Sequence, residues 1–139
     1  AMPAFEGDPA RSIPANVFRP EDTVNFTALL AEFRKQLNEL TAETDRPYLL
    51  TIAGPAGQDK LDKIELTKIG QYLDFINIMT YDFHGGWDAT GPTNFHSPLF
   101  GSPNDPSTGV VKNYFADYAV NRYLAGGIPA TKLLIGVPF

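Results

Sequence analysis

Cysteine is absent from the chain, so neither a disulfide framework nor thiolate chemistry is available, and the redox compartment cannot be read from it. Cations are scarce: 11 Lys and Arg stand against 16 Asp and Glu, for a net charge of -5. Nucleic acid and anionic membrane both demand a basic face, so neither is expected as a partner, and a neutral or cationic substrate fits better. No apolar run approaches the roughly 20 residues of a membrane span, and Ala1 and Met2 read as an artificial junction or an internal start that discloses no compartment. Phosphate loops are missing too, since GPAG at Gly54 to Gly57 lacks both GxGxxG and GxxxxGK spacing and reads as a turn after a strand. Ser12, Ser97, Ser102 and Ser107 fall in loops with no nucleophile elbow around them. His84 and His96 lie far apart without a third partner at ligand spacing, so no zinc site, no other metal and no cofactor is expected. Both histidines read instead as hydrogen-bonded loop organisers.

What is present is enough apolar residue, 43% of 139, to bury one core. Residues 1–19 hold Pro3, Gly7, Pro9 and Pro14 without periodicity and read as loop, its acids Glu6 and Asp8 solvated. Pro20 opens a helix, with Glu21 and Asp22 at the positive end of the dipole and Phe26, Leu29, Leu30, Phe33, Leu37 and Leu40 at helical spacing. Tyr48 to Ala53 is a short apolar strand. A second helix is predicted within Lys60 to Tyr72, with Leu61, Ile64, Ile69 and Leu73 facing inward. Phe75 to Thr80 reads as a buried strand, apolar on both faces around Asn77. A long Gly-, Pro-, Asn- and Ser-rich loop runs to Thr108. A third helix is predicted over Val110 to Ala125, with Val111, Phe115, Tyr118 and Leu124 inward and Gly126 and Gly127 as its stop, and Leu133 to Val137 is a last buried strand. Helix-then-strand returns of this length require parallel strands with right-handed crossovers, so the fold class is α/β, three adjacent parallel strands covered by helices.

The run FINIMTYDFHGGW, Phe75 to Trp87, is where function concentrates. An apolar strand there delivers Met79, Tyr81 and Asp82, then His84, two glycines and the single Trp87, to one rim. The carboxyl ends of parallel strands are where α/β barrels and open α/β sheets keep their chemistry. Taken singly, these residues have plainer readings. Tyr81 also suits a core position with its hydroxyl at the surface, Asp82 suits a cap of the next turn, and Met79 suits a core methionine. Ala53 ends its strand with a side chain small enough to leave room for a ligand.

YLLTIA, FINIMTYDFHGGW, TNFHSPLF and GGIPATKLLIGVPF, in that order, resemble the second half of the catalytic barrel of family-18 chitinases, and RPEDTVNFTALLAEFRKQL resembles the helix after that barrel's fourth strand. The resemblance implies a partial (β/α)8 TIM barrel over residues 20–139, covering the fifth to seventh strands, with residues 1–19 the loop that follows the fourth. It implies a retaining, substrate-assisted reaction on β-1,4-linked N-acetylglucosamine polymers, in which the substrate's own acetamido oxygen attacks the anomeric carbon while a Glu acts as acid. On that reading Tyr81 donates to the acetamido oxygen and Asp82 binds polar groups near the cleaved bond. Met79 floors the site, and Trp87 stacks on sugar at the leaving-group side.

The family's DxxDxDxE signature, which carries the acid, occurs nowhere in this sequence. The resemblance therefore places the start of the chain just after that Glu and implies that these residues alone are inactive. It also leaves a second class open, a non-hydrolytic chitin- or oligosaccharide-binding lectin of the same fold. Secretion is implied by the family, and self-association through unpaired sheet edges is expected of three strands that cannot close a barrel.

Overall fold

The computed structural model describes residues 7, 12–17, 19–88, 91 and 93–139. Most of the loop expected over residues 1–19 lies outside them. The elements in chain order are α1 (Asp22–Thr44), β1 (Thr51–Gly54), α2 (Gln58–Leu61), α3 (Leu66–Ile69), β2 (Phe75–Ile78), a 3-10 turn at Gly109–Asn113, α4 (Ala116–Ala125), a second 3-10 turn at Ala130–Lys132, and β3 (Leu133–Ile135). The strands form one sheet in the order β1-β2-β3, parallel throughout, with Ile52 opposite Ile76 and Ile78 opposite Ile135. This is the predicted arrangement. None of the helices is long and apolar enough to cross a membrane.

The helices cover one face. Ile52, Ile76 and Ile78 point into a core with Leu61, Ile64, Ile69, Leu73, Ala119, Tyr123 and Ile128, whereas Ala53 and Asn77 on the other face are exposed. Two expectations are corrected here. β2 is not buried on both faces, because no element among the described residues covers the Asn77 side. β3 is not a buried strand, because Leu134 and Ile135 are 44% and 51% exposed at the sheet edge.

The predicted second helix is two short ones, split by a turn at Asp62 and Lys63, although all four of its expected inward residues are buried. The third is also broken, at Tyr114 and Phe115, and its inward positions are Ala116, Ala119 and Tyr123. Leu124, expected inward, is 39% exposed, one step off the buried stripe. Gly126 and Gly127 do stop the helix, Gly127 at φ +82°. In α1 only Leu30 of the apolar stripe is buried, while Leu29 and Phe33 are about half exposed.

Polar groups fix the amino ends of the strands. Arg34 of α1 donates to the Tyr72 carbonyl at 2.9 Å and to the Tyr48 carbonyl at 3.3 Å, and also pairs with Asp74. Asp74 in turn accepts the Leu50 N–H at 2.7 Å, and Lys132 donates to the carbonyls of Gly70 and Leu73. These bonds hold α1 and the entries to all three strands together. The opposite, carboxyl-end rim is left for the site.

Candidate functional site

Beyond Ile78 the backbone keeps the two-residue alternation, so Asn77, Met79 and Tyr81 project to the uncovered side of the sheet. Met79 N–H still donates to the Gly54 carbonyl at 2.9 Å, which holds the β2 exit against β1. Tyr81 is seated on β3's exit: a Cβ on Gly136 would stand 2.6 Å from the tyrosine Cε1. Thr80, fully buried, donates to the Gly136 carbonyl at 2.7 Å, and Gly136 N–H donates to the Ile78 carbonyl at 2.9 Å. The bare Gly136 therefore leaves the space that the ring fills. Asp82 follows in the left-handed region at φ 56°, a conformation Asp tolerates better than most residues, and it turns the chain out of the strand direction.

Met79, Tyr81 and Asp82 meet in a cavity of about 400 Å³ at the carboxyl ends of β1 and β2. Its other walls are Phe83, Tyr114, the Pro55-Ala56-Gly57 turn and Lys60. The cavity offers a phenol, a carboxylate and an ammonium over a mostly apolar floor. Such a set suits a neutral polar molecule with apolar faces. Among the described residues, no group of three or more His, Cys, Asp or Glu is placed to hold a metal ion.

Ala53 and Trp87 stand outside this cavity. Ala53 shares the exposed face with Asn77, one residue before the turn. Trp87 lies over Gly85, 39% exposed, with its ring 6.2 Å from that of His96 in an edge-on arrangement. His96 organises the loop: Asp82 N–H donates to its Nε2 at 3.2 Å, its Nδ1 meets the His84 carbonyl at 3.2 Å, and its own carbonyl accepts Phe83 N–H at 3.0 Å. Ser97 adds a hydroxyl bond to the Thr80 carbonyl. His84 is 4% exposed, with Nδ1 3.8 Å from Asp88 and its buried Nε2 lacking a hydrogen-bond partner among the described residues.

Asp59, Lys60 and Tyr114 had no sequence signal. Tyr114 donates to Asp59 Oδ1 at 2.8 Å, Lys60 donates to the other oxygen, and Asn113 donates to Gln58 at 2.7 Å. Burial pushes the Asp59 carboxyl up, but the hydrogen bonds from Lys60 and Tyr114 outweigh it and hold the group below the ordinary carboxylate value. The partners are 55 residues apart, so only the fold brings them to one wall.

A ligand-sized cleft with convergent polar and aromatic groups, outside the carboxyl ends of parallel strands, defines a segment of an α/β barrel enzyme or binding protein. The family model for glycosyl hydrolases family 18 matches residues 7–139, and the chain belongs to that family. It is 40% identical over 126 residues to chitinase A1 of Niallia circulans, a match covering 89% of this chain and 18% of that protein. The solved structure of chitinase ChiA74 from Bacillus thuringiensis is similar at a TM-score of 0.82 and 49% identity, covering 92% of this chain and 20% of the other. Human YKL-39, described as a pseudo-chitinase with retained chitooligosaccharide binding properties, superposes at a TM-score of 0.76 with 31% identity, over 85% of this chain and 32% of that one. The chain thus spans about a fifth to a third of the lengths of these relatives.

Proposed function

We propose that this chain is part of a chitinase-type glycoside hydrolase that cleaves β-1,4-linked N-acetylglucosamine polymers with substrate assistance and retention. The observation that carries the reading is the convergence of Met79, Tyr81 and Asp82 on one cavity at the carboxyl end of β2. In this reaction the acetamido oxygen attacks the anomeric carbon and the leaving oxygen takes a proton from an acid. Tyr81 donates its hydroxyl hydrogen to the acetamido oxygen, orienting it and stabilising the charge that grows on the group. Asp82 binds polar groups of the same sugar, Met79 forms the floor, and Trp87 supplies an apolar face on the leaving-group side. Ala53 leaves room beneath the sugar on the open face.

The acid is supplied from outside these residues, since DxxDxDxE is absent from the sequence. The 139-residue chain alone does not hydrolyse chito-oligosaccharides, because general acid catalysis is worth about 10²–10⁴-fold and half the cleft's positioning is lost with it. Extracellular work is supported by the similarity to chitinase ChiW of Paenibacillus, described as a cell-surface-expressed enzyme. The similarity to YKL-39 supports a second reading, a carbohydrate-binding relative that holds chito-oligosaccharides without cleaving them.

The test uses the full gene product that carries this chain. Hydrolysis of chito-oligosaccharides with retained anomeric configuration is expected, falling by about 10²-fold in Tyr81→Phe, the order of magnitude for one donor to a developing charge. Asp82→Ala should also lower turnover with the fold intact. Binding without turnover selects the lectin reading, and normal turnover in both variants overturns the site.

A further inference from the structure

The contacts of His96 fix a hydrogen on one ring nitrogen and leave the other facing Asp82. His96 Nδ1 lies 3.2 Å from the His84 carbonyl oxygen, which can only accept, so Nδ1 carries a hydrogen. Nε2 then faces two groups of opposite demand. The Asp82 N–H, 3.2 Å away, can only donate to it, while Asp82 Oδ1, 3.0 Å away, accepts when ionised. A neutral ring satisfies the first and sets its lone pair against a carboxylate. A proton at Nε2, or on the carboxyl, turns the second contact into a hydrogen bond.

We propose that His96 is a positioning residue for Asp82: one shared proton between Nε2 and Oδ1 holds the carboxyl against the ring at the cavity's lip, and loss of that proton frees it to turn further into the cavity it lines. With the proton gone, Nε2 keeps the backbone N–H of Asp82, so the loop stays in place while the side chain is released. The rest of the loop is braced for this. His96 accepts Phe83 N–H, Ser97 bonds the Thr80 carbonyl, and the His96 ring meets Trp87 edge-on, so residues on both sides of Tyr81 and Asp82 are held by one segment. Both side chains reach solvent, His96 at 45% and Asp82 at 65%, so protons exchange freely. The other charged and titratable groups of this region are Lys60, Tyr81 and Tyr114, which line the cavity with Asp82, then His84, Asp88, which lies 3.8 Å from His84 Nδ1 and accepts Gly85 N–H, and Asp105, whose carboxyl feels His84.

The proton-sharing contact stands without the chitinase reading; only its effect on turnover rests on that reading. The test is a pH titration of the full gene product with labelled histidine rings and aspartate carboxyls, followed by NMR. The expected result is an Nδ1–H tautomer for His96 at high pH and an Asp82 carboxyl signal that steps together with the His96 ring. His96→Gln, whose amide can still bond the loop, should remove that step. An Nε2–H tautomer at high pH, or an Asp82 signal with no step at the His96 midpoint, overturns the shared proton.

In the activity arm, His96→Gln should flatten the limb of the kcat/KM profile that follows this titration and lower the maximum by about two- to fivefold, the scale of an exposed ion pair. A stepped Asp82 signal with an unaltered profile overturns the positioning role. Undiminished turnover in both Tyr81→Phe and Asp82→Ala instead overturns the functional reading and leaves the NMR result standing.

Discussion

The hydroxyl of Tyr123 donates a 2.9 Å hydrogen bond to the carbonyl of Pro55, joining the last turn of α4 to the turn that forms one wall of the cavity. The phenol fits because residue 54 is glycine: a Cβ there would stand 2.4 Å from the hydroxyl and 2.8 Å from Ile76 Cγ2. Tyr123→Phe leaves the buried carbonyl without its partner and should destabilise the chain by about 1–3 kcal/mol, read as a lower urea midpoint with unchanged slope. Gly54→Ala forces backbone or ring to move and should cost more.

The same tyrosine sets a pH limit. Burial pushes the Tyr123 phenol well up, so the folded state keeps its proton where the unfolded chain releases it. Its contribution is complete below the unfolded tyrosine value of about 10 and falls as pH rises beyond it, by up to about 1.4 kcal/mol per unit. Urea midpoints measured between pH 8 and pH 11 should decline above about 10. Tyr123→Phe should remove that component of the slope; an unchanged alkaline slope in the variant refutes the assignment.

At the cavity wall the sign is reversed. Hydrogen bonds from Lys60 and Tyr114 hold Asp59 below the ordinary carboxylate value against the upward push of burial. A depressed acid contributes stability above its unfolded value, about 3.9, and that contribution is lost as pH falls through the folded one. Tyr114→Phe removes one of the two donors and raises the Asp59 carboxyl, so acid unfolding followed by circular dichroism should begin at a higher pH. Coincident acid transitions in variant and wild type would show that the link from Tyr114 contributes nothing.

The seat of Tyr81 is open to a direct test. A methyl at Gly136 would fall 2.6 Å from the ring and 2.7 Å from the Ile78 carbonyl, and β3's exit is pinned by Thr80. Gly136→Ala should therefore move the ring and lower turnover of the full gene product by more than its loss of stability accounts for. Thr80→Val, which removes the hydroxyl that the partly buried Gly136 carbonyl accepts, should act through stability first. A crystal structure of Gly136→Ala with Tyr81 unmoved would reject the seating.

The parallel order of the strands was legible because helix-strand alternation admits few topologies, and the MTYD rim was legible because an apolar run handed polar aromatics to a strand end. Helix phase was less so: Leu124 reads as inward from apolarity, yet Ala119 and Tyr123 are the buried positions, because a small residue lets α4 approach the sheet and the tyrosine reaches the Pro55 carbonyl. Exposure of Leu134 and Asn77 depends on what covers the open face, which local pattern does not encode. Asp59 and Tyr114 were invisible for a related reason: their pairing spans 55 residues of chain and neither lies in a motif.

The uncovered face and the two free edges of the sheet give the last prediction. Among the described residues the sheet ends at β1 on one side and β3 on the other; β3 presents Leu134 at 44% and Ile135 at 51% exposure, and Val137 just beyond it is 64% exposed. An unpaired strand offers a row of N–H and C=O groups, and apolar side chains beside it remove the usual protection against pairing with another chain. The isolated 139-residue polypeptide should therefore associate, in a concentration-dependent way, as measured by sedimentation velocity. Ile135→Lys should weaken that association more than it lowers helical content, because a charge on an edge strand opposes pairing and residue 135 is not in the core. A monodisperse monomer that melts cooperatively at high temperature would show that the three strands are self-sufficient.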